Sequence, residues 1–193
     1  MSVNVQLVSV SGEWFTMANR YKPAIALTLN GRVAAAEGMK VLLSGGKALD
    51  AVEAAVRVIE DNPADWSVGY GGFPNIAGQV ELDASIMDGR NLSAGAVACM
   101  RHHKNPVSVA RQVMEKTPHV MLAGEGADVF ADSQGFPRTD LLSPQTKAWY
   151  EALMRGEKIV LLPRVEEETP ERARLYGDKM GSVVGSPRQV FET

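Results

Sequence analysis

The chain has 193 residues, 45% of them hydrophobic and 22% charged, which suits one globular domain with a sizeable core and excludes a disordered or fibrous chain. A formal net charge of −3 gives no general attraction to nucleic acid or to anionic membranes, and no apolar run approaches the length of a membrane-spanning helix. The single cysteine, Cys99, excludes an internal disulfide and a cysteine-rich zinc site, and with no basic residue ahead of the first apolar stretch a cytoplasmic location is expected.

In chain order, Pro23 to Leu29 is a short apolar run that reads as a buried strand, ended by Asn30-Gly31. Arg32 to Leu43 is alanine-rich and helical, stopping at Ser44-Gly45-Gly46. Ala48 to Glu60 places Leu49, Val52, Ala55, Val56 and Ile59 on one face of an amphipathic helix, which Asn62-Pro63 ends. A glycine-rich stretch follows, with Gly69, Gly71 and Gly72 ahead of the acidic residues Glu81, Asp83 and Asp88. From Gln79 to Met87, Val80, Leu82, Ala84 and Ile86 alternate with Glu81, Asp83, Ser85 and Met87, the period of a strand. Asp88-Gly89 is a turn, and Ala94 to Met100 is a second strand of small residues, so the two form a hairpin.

Asn105-Pro106 opens a helix that runs to Lys116 and stops at Thr117-Pro118. His119 to Ala123 reads as a short strand and Gly124 to Gln134 as a helix stopped by Gly135. Ser143 caps, and Pro144 begins, a helix within Leu141 to Arg155. Ile159 to Leu162 is a fragment of strand, and Arg164 to Lys179, with Glu166-Glu167-Glu168, is a solvated surface segment. Alternation of strands and helices predicts a layered α/β protein, and the hairpin predicts antiparallel content in its sheet.

The glycine stretch fails the common ligand motifs. A Walker-type loop needs a lysine and a hydroxyl after its last glycine, but Gly72 is followed by Phe73-Pro74. A dinucleotide fingerprint needs a helix to start at the third glycine, which Pro74 forbids. Asp83 and Asp88 lack the spacing of a calcium loop, so no metal site is expected. The glycines instead allow a tight turn and close approach of a neighbour, whether a substrate or another chain's terminus. Among other candidates, His102-His103 read as an exposed turn, His119 as a buried hydrogen-bonded histidine and Cys99 as a buried inert thiol. Glu125 lies where it would cap a helix or face its dipole. No nucleophile–base pair is evident, so part of any catalytic chemistry would lie outside this chain.

The runs SVGYGGFPNIAGQVELDASIMDGRNLSAGAVA and KNPVSVARQVMEKTPHVMLAGEGADVFADSQGF, with GMKVLLSGGKALDAVEAAVRVIEDNP upstream, closely resemble the N-terminal nucleophile (type 2) asparaginases. That family includes glycosylasparaginases and plant-type asparaginases with isoaspartyl peptidase activity, and SVGYGG is similar to the glycosylasparaginase branch. The resemblance covers roughly residues 23–137. It implies the α-subunit half of a four-layer αββα sandwich of the N-terminal nucleophile hydrolase type. It also implies a precursor that cleaves itself into α and β chains and an (αβ)2 heterotetramer. The nucleophile would be the N-terminal threonine of the β chain, with its own α-amino group as base. The substrate would be a small amide: asparagine, an N4-substituted asparagine or an isoaspartyl peptide. No cofactor is implied beyond a possible structural monovalent cation, and neither nucleic acid nor membrane is a partner.

On this resemblance residues 1–22 are an N-terminal extension, 23–137 the α-chain core, and 138–193 a helical and charged tail leading to the cleavage site. The chain departs from the family pattern in three places. The cleavage motif of His-Asp-Thr is missing, its nearest likeness being Gly177 to Gly181 with Lys179 in the threonine's place. The motif would then follow Thr193 in the precursor; the alternative is a truncated or non-catalytic homologue acting as a binding module. Thr193 itself follows Glu192, not an aspartate, and is not expected to be the nucleophile. Thr28-Leu29-Asn30-Gly31 stands where glycosylasparaginases carry a Thr-Trp-Pro-Phe segment, so the aromatic wall is absent unless Trp14-Phe15 or Trp66 replaces it. An additional N-terminal segment of about twenty residues precedes the matching region. Ser67 matches the family serine that touches the nucleophile's amino group and would orient that base. Gly69 belongs to the same loop, and Asp83 and Asp88 match motif aspartates expected to support the site, Asp88 also suiting simple turn chemistry.

Overall fold

The computed structural model describes residues 22–28, 30–160 and 183–184. A 3-10 turn over Asn30–Ala34 leads into α1 (Ala35–Leu43), and α2 (Ala48–Glu60) packs back against it. Strands β1 (Leu82–Asp88) and β2 (Ser93–Met100) form the predicted hairpin. They are followed by α3 (Pro106–Lys116), β3 (Met121–Ala123), α4 (Gly124–Ser133), α5 (Pro144–Met154) and β4 (Ile159–Val160). A two-residue strand, β5 (Val183–Val184), pairs antiparallel with β4. The main sheet has the order β1-β2-β3, antiparallel in its first pair and parallel in its second, so the fold is α/β with a small mixed sheet.

The period-two pattern sorts the two faces of that sheet. Leu82, Ile86 and Val97 are buried and pack with Val107, Val109, Ala110 and Val113 of α3. Gly95 explains why β2 is built from small residues: a Cβ there would stand 2.1 Å from the Ala110 carbonyl oxygen, so only glycine lets α3 lie this close. The opposite face presents Ser85, Ala96 and Met121 in one register row and Met87 beside Ala94 in the next, with Met87 and Met121 more than half exposed.

Local signals set most element ends. Pro106 occupies the first turn of α3, where no N–H partner is needed. Ser143 Oγ accepts the Thr146 N–H at 3.2 Å and caps α5, as its sequence predicts. Arg111 binds α2 to α3 through Asp50 and Glu53, and also pairs with Glu115 one turn along. These three carboxylates push the Arg111 guanidinium further up, against the opposing effect of its partial burial.

Four expectations are corrected. Residues 22–28 form no strand: none of the described strands pairs with the segment, and Ile25 packs on Ala34, Ala55 and Ile59 instead. His119 is exposed, because β3 begins two residues later and leaves it in the connection. Only His102 of the His102-His103 pair is exposed. The ring of His103 is buried, with Nδ1 3.2 Å from the Pro137 carbonyl oxygen and Nε2 between Asp128 and Asp132 at 3.8 and 3.6 Å. Cys99 is exposed, because the register shifts between Leu82 and Ala84 and the resulting bulge turns it outward at φ 53°. The expectations for residues 1–21 and for Arg164 to Lys179 lie outside the described residues.

Candidate active-site cleft

A cleft of about 430 Å³ opens between the end of α2, the glycine loop and the outer side of β1. Ser67, Gly69 and Asp83, three of the four sequence-predicted support residues, line it together. Asp88 does not. It lies at the far end of β1, where it holds the hairpin turn through Arg90, accepting both the Arg90 backbone N–H at 3.0 Å and its guanidinium. Those bonds hold the Asp88 carboxyl down at about 2. Asp88 thus takes the turn role that also suited its sequence, at the other end of the seven-residue β1 from Leu82.

The loop is shaped by backbone contacts. Gly69 has φ 61° and is buried, and a Cβ there would stand 2.1 to 2.5 Å from backbone atoms of Glu60. The next residue donates its N–H to the Glu60 carbonyl oxygen at 2.7 Å, and Gly71 donates to the Leu141 carbonyl oxygen at 2.8 Å. Glycine is therefore required at position 69 both by the left-handed backbone and by the contact. Trp66 and Phe73 anchor the loop's two ends against Leu153 of α5 and Ile159 of β4. Trp66 is thus spent in this apolar cluster and does not line the cleft.

A run of polar contacts follows the rim. Thr28 Oγ1 donates to Asn30 Oδ1 at 2.7 Å, and Asn30 Nδ2 donates to Asp65 Oδ2 at 3.2 Å. The other Asp65 oxygen accepts both the backbone N–H and the hydroxyl of Ser67. With its proton committed to Asp65, the Ser67 hydroxyl oxygen keeps its capacity to accept a hydrogen bond. Asp83 Oδ1 accepts the Cys99 N–H at 2.8 Å and so fastens the bulge across the hairpin. Its second oxygen adds negative character to the cleft beside Glu81, which Arg101 neutralises.

Glu60 and Asp65 are site residues that sequence reasoning missed. Glu60 ends an amphipathic helix one position beyond its last predicted apolar residue, and only three-dimensional packing reveals that it is 3% exposed. The Asp65-x-Ser67 spacing of an Asx turn was a legible signal for Asp65. Among the described residues no group of three His, Cys, Asp or Glu is placed to hold a metal ion. A second hollow, of about 520 Å³, contains Arg101 and Arg138, but both are already paired, with Glu81 and Asp132.

The chain is thus an α/β protein whose glycine loop folds over the end of α2 beside a small mixed sheet. The family model described as "Asparaginase" matches residues 17–185, and the chain belongs to that family. It is 58% identical over 138 residues to the N(4)-(beta-N-acetylglucosaminyl)-L-asparaginase of Elizabethkingia miricola, covering 70% of this chain and 40% of that protein. It is 52% identical over 117 residues to the isoaspartyl peptidase/L-asparaginase of Mus musculus, covering 59% of this chain and 36% of the relative. With the plant-type L-asparaginase of Pyrococcus furiosus it shares 51% identity over 144 residues, 75% of this chain and 47% of the relative. The chain thus spans less than half the length of these curated relatives.

Proposed function

We propose that this chain is the α half of a threonine amidohydrolase that cleaves the side-chain amide of asparagine or of an N4-substituted asparagine. The observation that carries the reading is the cleft: Ser67, Gly69 and Asp83 converge on one hollow that holds acceptors but, among the described residues, no activated nucleophile. The nucleophile is the N-terminal threonine of a β chain released from the same precursor. Its Oγ attacks the amide carbonyl carbon while its α-amino group takes the hydroxyl proton. The C–N bond then breaks, the proton leaves with the departing ammonia or amine, and water hydrolyses the acyl ester. Donors from the β chain stabilise the tetrahedral oxyanion. Ser67 accepts a hydrogen bond from the terminal amine and orients it as a base. No cofactor takes part in these steps.

The open face of the main sheet supports a β-chain partner. Met87 and Met121 are left exposed on the outer face of the sheet, which a second sheet would cover in a four-layer αββα sandwich, with two such pairs in an (αβ)2 assembly. Glycan-linked asparagine is the first substrate to test, because a relative 58% identical over 138 residues is named as an N(4)-(beta-N-acetylglucosaminyl)-L-asparaginase. The test is expression of the whole gene product, with gel analysis for two chains and an ammonia or aspartate assay on asparagine, a β-aspartyl dipeptide and N4-(N-acetylglucosaminyl)asparagine. Two bands and release from at least one substrate are expected. A single uncleaved chain inactive on all three would leave the binding-module reading in its place.

A further inference from the structure

Glu60 joins three parts of the fold. It ends α2, its Oε1 accepts the Val107 N–H at 3.0 Å in the first turn of α3, and its Oε2 lies 3.5 Å from Asn105 Nδ2. Its carbonyl oxygen accepts the Tyr70 N–H, and Gly69 rests on its backbone. Among the described residues no cation pairs with it. The nearby Lys104 goes to Asp61, and Arg111 is held by Asp50, Glu53 and Glu115. A carboxylate this buried without a cation gives up hydration that its two donors, the Val107 N–H and the Asn105 amide, do not fully restore.

We propose that Glu60 is the positioning residue of the glycine loop: as a neutral acid it lets α2, α3 and the loop close on one another, and on ionisation it loosens the loop that walls the cleft. Glu60 acts on the wall itself, whatever the cleft binds. The charged groups around Glu60 do not reverse it. On its own element Arg57 favours the anion and Asp61 opposes it. Ahead of α3, Lys104 is committed to Asp61. Glu81, just before β1, and Asp83 of β1 are further acids that line the cleft, with Arg101 neutralising Glu81, and Asp65 of the loop bonds the cleft residue Ser67. Burial is the largest influence and pushes the Glu60 carboxyl up to about 7, against the lowering effect of the Val107 N–H and the Asn105 amide.

Hydrogen exchange by mass spectrometry on the full chain tests this, following peptides that span 66–73 from pH 5.5 to 8, with rates corrected for intrinsic exchange. Peptides from β2 and α4 serve as references. If opening returns Glu60 to its ordinary value of 4.5, linkage to a closed-state value of about 7 raises the opening constant about 25-fold over this range. Glu60→Gln is expected to remove that rise and to keep the loop protected at pH 8. A wild-type loop whose opening does not change with pH overturns the proposal, as does a rise that survives intact in E60Q. Should E60Q fail to fold, the wild-type profile decides. A rise confined to the loop and the start of α3 supports the proposal, and a flat or uniform profile overturns it.

Discussion

Replacing Gly69 by alanine tests the packing of the cleft wall directly. The new Cβ would stand 2.1 Å from the Glu60 carbonyl oxygen and 2.3 Å from its Cα, both backbone atoms that cannot swing aside as a side chain would. The left-handed conformation at φ 61° adds a cost of about 1–2 kcal/mol for any residue with a Cβ. Overpacking adds roughly 1–3 kcal/mol, and the upper end applies where backbone must shift. The lower entropy of the unfolded alanine chain returns about 0.4–1 kcal/mol. Gly69→Ala should therefore destabilise by about 3–4 kcal/mol, or lower Tm by roughly 6–16 °C at this chain length. Gly135→Ala is the control, with φ 80° and nothing within 4 Å of the added Cβ, so it bears the conformational cost alone, about 1 kcal/mol. Chemical denaturation of both variants gives the comparison. Equal losses at the two positions would refute the steric reasoning, because only Gly69 has backbone in the way.

Three further outcomes follow from the geometry. Asp83→Ala removes the acceptor of the Cys99 N–H and should cost about 1–2 kcal/mol in a denaturation curve, whereas Asp83→Asn, which keeps an acceptor oxygen, should cost less than half as much. Because the folded value of Glu60 is raised, its contribution to stability is complete below about 4.5 and is lost as pH rises through about 7; the difference of 2.5 units amounts to at most ~3 kcal/mol, and denaturation curves of Glu60→Gln should lack that decline. Asp88 is held low by Arg90, so its contribution is present above its ordinary value of 3.8 and fades as pH falls toward about 2; in Arg90→Ala, carboxyl NMR should show Asp88 titrating closer to 3.8, and an unchanged titration would argue against the pair.

The sequence by itself determined the helices, the hairpin and the loop. Pro106, Ser143 and Pro144 act within one turn of their own positions, and the alternation from Gln79 to Met87 sorts buried from exposed without help from distant residues. It also made the family legible, through motifs in which Ser67, Gly69 and Asp83 stand close enough together to share a cleft. Tertiary structure alone decided the rest. Pro23 to Thr28 has strand composition but lacks a described ladder partner, and strand formation depends on that partner more than on the residues. Cys99 left the core because of a bulge whose clamp, Asp83, lies sixteen residues away in the chain. Asp88 lines the hairpin turn and not the cleft because a strand carries its two ends apart, while Glu60, an acid at the end of an amphipathic helix, became buried because α3 and the glycine loop close over it. Those outcomes depend on which segments meet, and a local pattern of residues does not contain that information.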